Sequence, residues 1–121
     1  MKEITPHIRE IIEGKPVALA TLRNGKPYVI AITCYKVIEK NKILLCDTYM
    51  RKTLENIRNN NTVALVAWSK DYEGYQFFGK CRYFTKGKWF QLCKKLKSAK
   101  GLPCKGALLV NISKITKSKN N

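Results

Sequence analysis

The chain has 121 residues, which is the size of one folded domain. Apolar residues make up 45% of it and aromatic residues 10%, so it can bury a core, and these values exclude a disordered tail. Its apolar runs, such as residues 63–68, are far shorter than the roughly 20 residues that a membrane-spanning helix needs. No apolar segment of the signal-peptide type follows the charged start of the chain. We therefore expect a cytoplasmic protein.

Positive charge dominates the composition and is concentrated in the second part of the chain. The 24 basic and 8 acidic residues give a net charge of +16, and no acidic residue occurs from Lys86 onward. Such an excess attracts anions, so nucleic acid, an acidic redox partner and an anionic substrate are all candidate partners. A solvated, lysine-rich surface is the alternative that explains the same numbers.

Cysteine and histidine residues give no sign of a metal site. The five cysteines are odd in number and include no CxxC pair, and the chain has a single histidine, His7. This pattern offers no ligand set for zinc or an iron–sulfur cluster. We expect reduced cysteines that serve as small hydrophobic core residues.

The first half of the chain predicts a short helix followed by three strands. Thr5 and Pro6 favour a helix start, and Gly14 favours its end. The Asn24-Gly25 pair is typical of a tight hairpin turn between the first two strands. The strands are expected to form a meander, and they are predicted at residues 17–22, 28–35 and 43–47.

The second half predicts two helices and three more strands. The helices are expected at residues 51–60 and 88–100, and the strands at 62–69, 75–85 and 107–112. Gly79 lies inside a predicted strand and favours a bend or bulge there. Residues 114–121 are expected to be a frayed polar tail. The pattern predicts a mainly β fold, a six-stranded closed or split β-barrel with two or three short helices, as one domain over residues 1–121.

Residues 47–57 have the composition of an anion-binding turn. They follow a predicted strand and open a helix, where Arg51 and Lys52 offer two cations and Thr53 a hydroxyl. The first N–H groups of a helix are unpaired and favour negative charge, so the segment predicts a phosphate site. The alternative is an exposed basic turn in which Thr53 is an ordinary helix cap.

Catalytic side chains are not evident in the sequence and stay unknown. His7 lacks a Ser or Cys partner in its sequence context, and the carboxylates show no pairing of the hydrolase type. No phosphate-binding glycine loop is present. If the protein is an enzyme, we expect a cofactor to supply its reactivity.

In their order and spacing, several segments resemble the FMN-binding split-barrel family, the pyridoxamine 5′-phosphate oxidase-like proteins. The resemblance is greatest to the small stand-alone FMN-binding proteins and covers about residues 5–115. The matching segments are residues 17–21, 25–29, 43–53 with Asn56, 63–66 and Gly79. The resemblance implies a six-stranded split barrel and a homodimer that binds FMN near its interface.

The resemblance also assigns roles to individual residues of this sequence. The FMN phosphate would be held by Arg51, Lys52 and Thr53. The ribityl chain and the flavin would lie along Asp47, Thr48 and Tyr49. The polar edge of the ring would face backbone groups of the second strand, at Val29, Ile30, Ala31, Ile32 and Thr33. The loop at residues 103–105 would lie near the ring.

Two hypotheses from different classes follow. The first is a flavoprotein, an FMN-dependent oxidoreductase or electron carrier acting on a small acceptor or redox partner, with a deazaflavin or haem in place of FMN left open. Pyridoxamine phosphate oxidase activity itself is not expected, because the second strand lacks that enzyme's basic residues and its C-terminal motif is absent. The second is a cofactor-free basic module that stacks single-stranded nucleic acid on Tyr28, Tyr35, Tyr75 and Phe77.

Overall fold

The computed structural model describes residues 1–117. No helix among them is long and apolar enough to cross a membrane. They form three helices and seven strands: α1 (Pro6–Ile12), β1 (Val17–Arg23), β2 (Lys26–Ile32), β3 (Tyr35–Glu39), β4 (Lys42–Asp47), α2 (Lys52–Asn59), β5 (Thr62–Trp68), β6 (Gly74–Phe84), α3 (Gly87–Ser98) and β7 (Gly106–Lys117). The mainly β class and the predicted number of helices are confirmed.

Local sequence signals set the ends of the first elements. The backbone N–H of Ile8 donates a 3.2 Å hydrogen bond to the Thr5 hydroxyl, which caps α1 as predicted. Asn24 and Gly25 have φ angles of 52° and 77°, the left-handed geometry that a two-residue hairpin requires. The predicted hairpin between β1 and β2 is therefore confirmed.

All seven strands belong to one sheet, in the order β2-β1-β5-β6-β7-β4-β3. The prediction of one strand over residues 28–35 is wrong, because β2 ends at Ile32 and β3 begins at Tyr35. β2 pairs with β1, and β3 pairs with β4 at the opposite edge, so the predicted meander does not form. The apolar run has no Gly, Pro or Asn at this break. The break arises because the chain crosses there from one edge of the sheet to the other.

The sheet curls around one core. Adjacent strands lie about 4.8 Å apart, so the edge strands of a flat seven-stranded sheet would be roughly 29 Å from each other. Ile32 and Val37, which come from the two edge strands, nevertheless share a buried cluster with Phe77 of a central strand. The inner faces of α1 and α2 join the same cluster. Helix α3 packs on the outside, where Cys93 contacts a second cluster with β4 and β7.

The last strand is longer than the sequence predicts. β7 continues to Lys117 and pairs with β6 along this length, with Lys117 opposite Tyr75. Residues 114–117 are therefore strand and not tail, because the side chain of Ile115 is buried against the core. Residues 118–121 of the expected tail lie outside the described residues.

Gly79 lies at the predicted irregularity, where the register of β6 against β7 shifts between Phe78 and Gly79. A Cβ atom on Gly79 would lie 2.0 Å from the carbonyl oxygen of Asn111, which the sheet holds in place. We expect Gly79→Ala to lower the free energy of unfolding by about 2 kcal/mol, as overpacking does. Urea denaturation measures the change. The matched control is Lys80→Ala at the exposed neighbouring position, and equal stability of the two variants would contradict this close approach.

Candidate functional site

A cavity of about 380 Å³ lies between the outer edge of β2 and the segment that leads from β4 into α2. This size is within the range of about 300–1,000 Å³ that is usual for small-molecule sites. Most of the lining comes from β2 with the link after it and from the end of β4 with the turn after it, and α2, α3 and the loop before β7 add one residue each. The lining residues are Tyr28, Ile30, Ala31, Ile32, Thr33, Cys34, Cys46, Thr48, Tyr49, Met50, Arg51, Thr53, Lys97 and Leu102.

The wall formed by β2 is a free strand edge. β2 pairs only with β1, so alternate N–H and C=O groups on its other side have no strand partner among residues 1–117. Unpaired backbone groups of this kind bind a planar ligand that has its own donors and acceptors. The side chains of Ile30 and Ile32 add apolar surface to the same wall.

A buried carboxylate shapes the opposite wall. The side chain of Asp47 is fully buried; its Oδ1 accepts a 2.6 Å hydrogen bond from the backbone N–H of Met50, and its Oδ2 accepts one of 2.6 Å from the Tyr83 hydroxyl. The ammonium of Lys105 lies 3.8 Å from the same oxygen. Burial, and then the hydrogen bond to Asp47, raise the pKa of Tyr83. Asp47 was expected along the ligand, but it lies beneath the cavity lining and holds the turn.

The loop before β7 fastens the same turn. Lys105 donates from its ammonium to the carbonyl of Met50 and from its backbone N–H to the carbonyl of Asp47. The hydroxyl of Thr48 donates a 3.1 Å hydrogen bond to the carbonyl of Pro103. Residues 103–105 were expected near the ring; in the structure they hydrogen-bond to the turn, Lys105 lines an adjoining groove, and only the neighbouring Leu102 lines the cavity itself.

The start of α2 forms the cationic end of the cavity. The helix begins at Lys52, and Arg51 precedes it without a side-chain capping bond. Thr53 is the second residue of the helix and is buried, so the alternative in which it caps α2 is wrong. Arg51 and Lys52 are exposed and line an open groove with Lys105. This groove shares Tyr28, Thr48, Tyr49 and Arg51 with the cavity and is therefore continuous with it.

A buried hydrogen bond fixes the position of α2. The side-chain amide of Asn56 donates to the hydroxyl of Thr21 in β1 over 2.9 Å, and both residues are buried. On the outer surface, Arg23 of the same strand forms a 2.9 Å ion pair with Glu55. Through these contacts β1 determines where the cationic start of α2 lies relative to the cavity.

Most residues singled out in the sequence come together at this cavity. Eight of them line it: Ile30, Ala31, Ile32, Thr33, Thr48, Tyr49, Arg51 and Thr53. Lys52 lines the adjoining groove, and Asp47 supports the turn. Val29 is outside the lining, and its side chain is 64% exposed. Their roles toward a ligand remain predictions.

Lys97 is the main residue of the cavity that sequence reasoning missed. It belongs to a lysine-rich helix, but its side chain is buried and lines the cavity. The available signal is its spacing from Cys93: positions i and i+4 share one helix face, and Cys93 is buried against the sheet. A lysine on that face departs from the apolar pattern.

Three cysteines meet at the same end of the cavity. Cys34 and Cys46 are neighbours across the strands, where the N–H of Cys46 donates to the carbonyl of Cys34 over 3.0 Å. Burial raises the pKa of Cys34, and a hydrogen bond with Cys93, followed by burial, raises that of Cys46. These thiols stay protonated and fit the expected core role. Among residues 1–117, no three or more His, Cys, Asp and Glu side chains are arranged to hold a metal ion.

The surface required for nucleic-acid stacking is not available. Tyr75 and Phe77 are 4% and 1% exposed, because they alternate into the core along β6. The hydroxyl of Tyr35 donates to the carbonyl of Ile12 and is half-buried. The predicted stacking platform is therefore wrong for Tyr75 and Phe77, and only Tyr28 of the proposed set lines the cavity.

We expect the buried Asp47 to contribute strongly to stability. Asp47→Ala leaves the Met50 amide and the Tyr83 hydroxyl without their acceptor and should lower the free energy of unfolding by about 3 kcal/mol or more. Tyr83→Phe removes one hydrogen bond to a charged group and should cost about 1.5–3 kcal/mol. Denaturant unfolding of both single variants and the double variant gives the coupling energy. Additive losses would show that the two side chains do not act as a unit.

The comparisons with known proteins agree with this architecture. The sequence model of the pyridoxamine 5′-phosphate oxidase family matches residues 4–118. The chain is 31% identical over 118 residues to an uncharacterised protein of Methanocaldococcus jannaschii, with 93% of this chain and 79% of that protein covered.

Solved structures share the fold at low sequence identity. HupZ of Group A Streptococcus is 19% identical with a TM-score of 0.88, covering 98% of this chain and 96% of that one. An FMN-binding protein of Syntrophomonas wolfei subsp. wolfei is 19% identical with a TM-score of 0.76, covering 87% and 78%. An F420 reductase is 18% identical with a TM-score of 0.70, covering 89% and 94%. The match of the family model over residues 4–118 shows that the chain belongs to the pyridoxamine 5′-phosphate oxidase-like family of split barrels.

Proposed function

We propose that this protein is a flavoprotein that binds FMN in the cavity and works as an oxidoreductase or electron carrier. One observation carries the proposal: the uncapped, cationic start of α2 opens onto a cavity whose far wall is a free strand edge. A ligand with a phosphate at one end and a planar ring with carbonyl and N–H groups at the other matches both features.

The phosphate would bind at the start of α2. The backbone N–H groups of the first helical turn have no side-chain cap, and the positive end of the helix dipole lies there. Arg51 and Lys52 are exposed on the groove next to this turn, and Thr53 contributes to the cavity lining. Two cations and several oriented donors are the usual means of binding a phosphate monoester.

The ring would bind along β2. Free backbone groups of this edge would pair with the ring's polar edge, and Ile30, Ile32 and Met50 would cover its apolar surface. Among the described residues, the cavity lining contains no His, Asp or Glu. The lining residues would thus bind and orient the flavin ring and limit the access of water to it. When bound, the flavin supplies the electron-transfer chemistry.

The charge around the site favours anionic reaction partners. Lys94, Lys95 and Lys100 are exposed on or just after α3, the helix that contributes Lys97 to the cavity. Surface charges act over about 8–10 Å at physiological ionic strength. We propose an anionic small acceptor or an acidic redox partner that approaches this side of the molecule.

A deazaflavin is the second candidate cofactor, since the F420 reductase has the same fold. The absorbance spectrum of the purified protein, or of apoprotein after addition of cofactor, separates the candidates. We expect a yellow protein with the spectrum of oxidised FMN. A deazaflavin or haem spectrum would contradict FMN as the cofactor, and a colourless protein that binds none of the three would contradict the flavoprotein proposal.

The phosphate placement makes a quantitative prediction. Lys52→Ala removes one charge-assisted contact, worth about 1.5–3 kcal/mol, so affinity for FMN should fall roughly 10- to 150-fold. Affinity for riboflavin, which lacks the phosphate, should not change. Fluorescence titration of the apoprotein with both flavins measures this preference.

The matched control is Lys94→Ala, an exposed lysine on α3 that is outside both the cavity and the groove. It should bind both flavins like the parent protein. If Lys52→Ala keeps the full preference for FMN over riboflavin, the phosphate does not bind at the start of α2.

We also propose that two copies pair across the mouth of the cavity. Val29, Tyr49 and Leu102 are 64%, 84% and 42% exposed in this region, beside the free edge of β2. A second copy would cover this apolar surface.

Sedimentation should give twice the 13.9 kDa of one chain, and Val29→Lys should shift the protein toward the monomer. The control is Tyr72→Lys, which changes an exposed aromatic in the β5–β6 turn, and a monomeric parent protein at micromolar concentration would contradict the dimer.

A further inference from the structure

Lys97 is a buried lysine whose ammonium has no hydrogen-bond or ion-pair partner among residues 1–117. The residue is only 6% exposed. Every fully enclosed side-chain nitrogen or oxygen in these residues has a hydrogen-bond partner, so the ammonium keeps access to the cavity that Lys97 lines. An isolated charge on a buried helix face is costly and calls for a counter-charge.

This ammonium lies at the end of the cavity away from the phosphate-binding residues. Its charge acts on the thiols of Cys34 and Cys46, which line that end with it. The groove that carries Arg51 and Lys52 has none of Lys97, Cys34 and Cys46 in its lining. The cavity therefore has two separate cationic ends.

No neighbouring group neutralises Lys97. The thiols of Cys34 and Cys46 stay protonated, because burial raises the pKa of Cys34, and a hydrogen bond with Cys93, followed by burial, raises the pKa of Cys46. The buried carboxylate of Asp47 already accepts hydrogen bonds from Met50 and Tyr83 and pairs with Lys105. An anionic ligand group in the cavity would supply the counter-charge that the described residues do not.

We propose that Lys97 forms a second cationic subsite, which binds the electron-rich carbonyl edge of the flavin ring and stabilises the ring's anionic reduced state. This inference rests on the proposed function. A flavin that takes up two electrons and one proton carries a negative charge on the ring, next to that carbonyl edge. A cation there favours the reduced over the oxidised cofactor and so raises its reduction potential.

The test uses Lys97→Met, with Lys97→Arg to restore the charge. Lys95→Met is the matched control, because it removes an exposed lysine from the same helix. Three quantities are measured for each protein: the affinities for oxidised FMN and riboflavin, the midpoint potential of bound FMN, and the melting temperature of the apoprotein.

We expect Lys97→Met to lower the affinities for FMN and riboflavin by the same factor. Lys52→Ala, in contrast, should lower only the affinity for FMN. The affinity for reduced flavin should fall about tenfold more, which lowers the two-electron midpoint potential by about 30 mV. The apoprotein should melt at a higher temperature, because a neutral side chain replaces an unpaired buried charge. Lys97→Arg should keep the potential of the parent protein.

The outcomes separate this inference from the proposed function. If the parent protein binds FMN and Lys97→Met changes neither the potential nor riboflavin affinity, the subsite is wrong and the flavoprotein proposal stands. If the parent protein binds no flavin, both are wrong. If Lys97→Met and the neutral variant Lys97→Gln both fail to fold as apoproteins, the charge is structural and the inference is overturned.

Discussion

The carboxylate of Asp47 determines the shape of the candidate site. It ends β4 in a fully buried position and accepts hydrogen bonds from the turn that follows and from Tyr83 of β6. A buried carboxylate with these partners holds them in one geometry, since each would be left unsatisfied without it. Lys105 adds the loop before β7 to the same arrangement. The cationic start of α2 therefore has a fixed place relative to the sheet.

The second constraint is that the sheet curls without joining its edges. β2 and β3 are consecutive in the chain, yet they end on opposite edges because the link between them crosses the opening. Backbone groups on the outer side of β2 are left without strand partners among the described residues. An unpaired strand edge can pair with another chain and cause aggregation. Here the edge forms one wall of a cavity, and the turn that Asp47 holds lines the other wall.

The two ends of this cavity are positive in different ways. At one end, Arg51 and Lys52 are exposed and well solvated, so their charge costs little in the absence of a ligand. At the other end, Lys97 is a buried residue beside protonated thiols, and no side chain among residues 1–117 neutralises its charge. Exposed cations favour the binding of a phosphate, and a cation on a buried residue would shift the reduction potential of a flavin ring bound beside it. This difference fits a cofactor that is held by its phosphate and tuned at its ring.

The sequence by itself determined the local elements and most of the site. Thr5 acts through its capping hydroxyl and the Asn24-Gly25 pair through its positive φ angles, and the turn at residues 47–53 carries its charges within a few residues of each other. Only the tertiary structure decided what depends on residues far apart in the chain. The break after Ile32 follows from closing a curled sheet, and the burial of Lys97 follows from packing α3 against β4, β7 and the link that carries Cys34. The break has no local signal, and the spacing of Lys97 from Cys93 shows only a shared helix face, because strand order and helix docking are set by the burial of the whole core and not by any one segment.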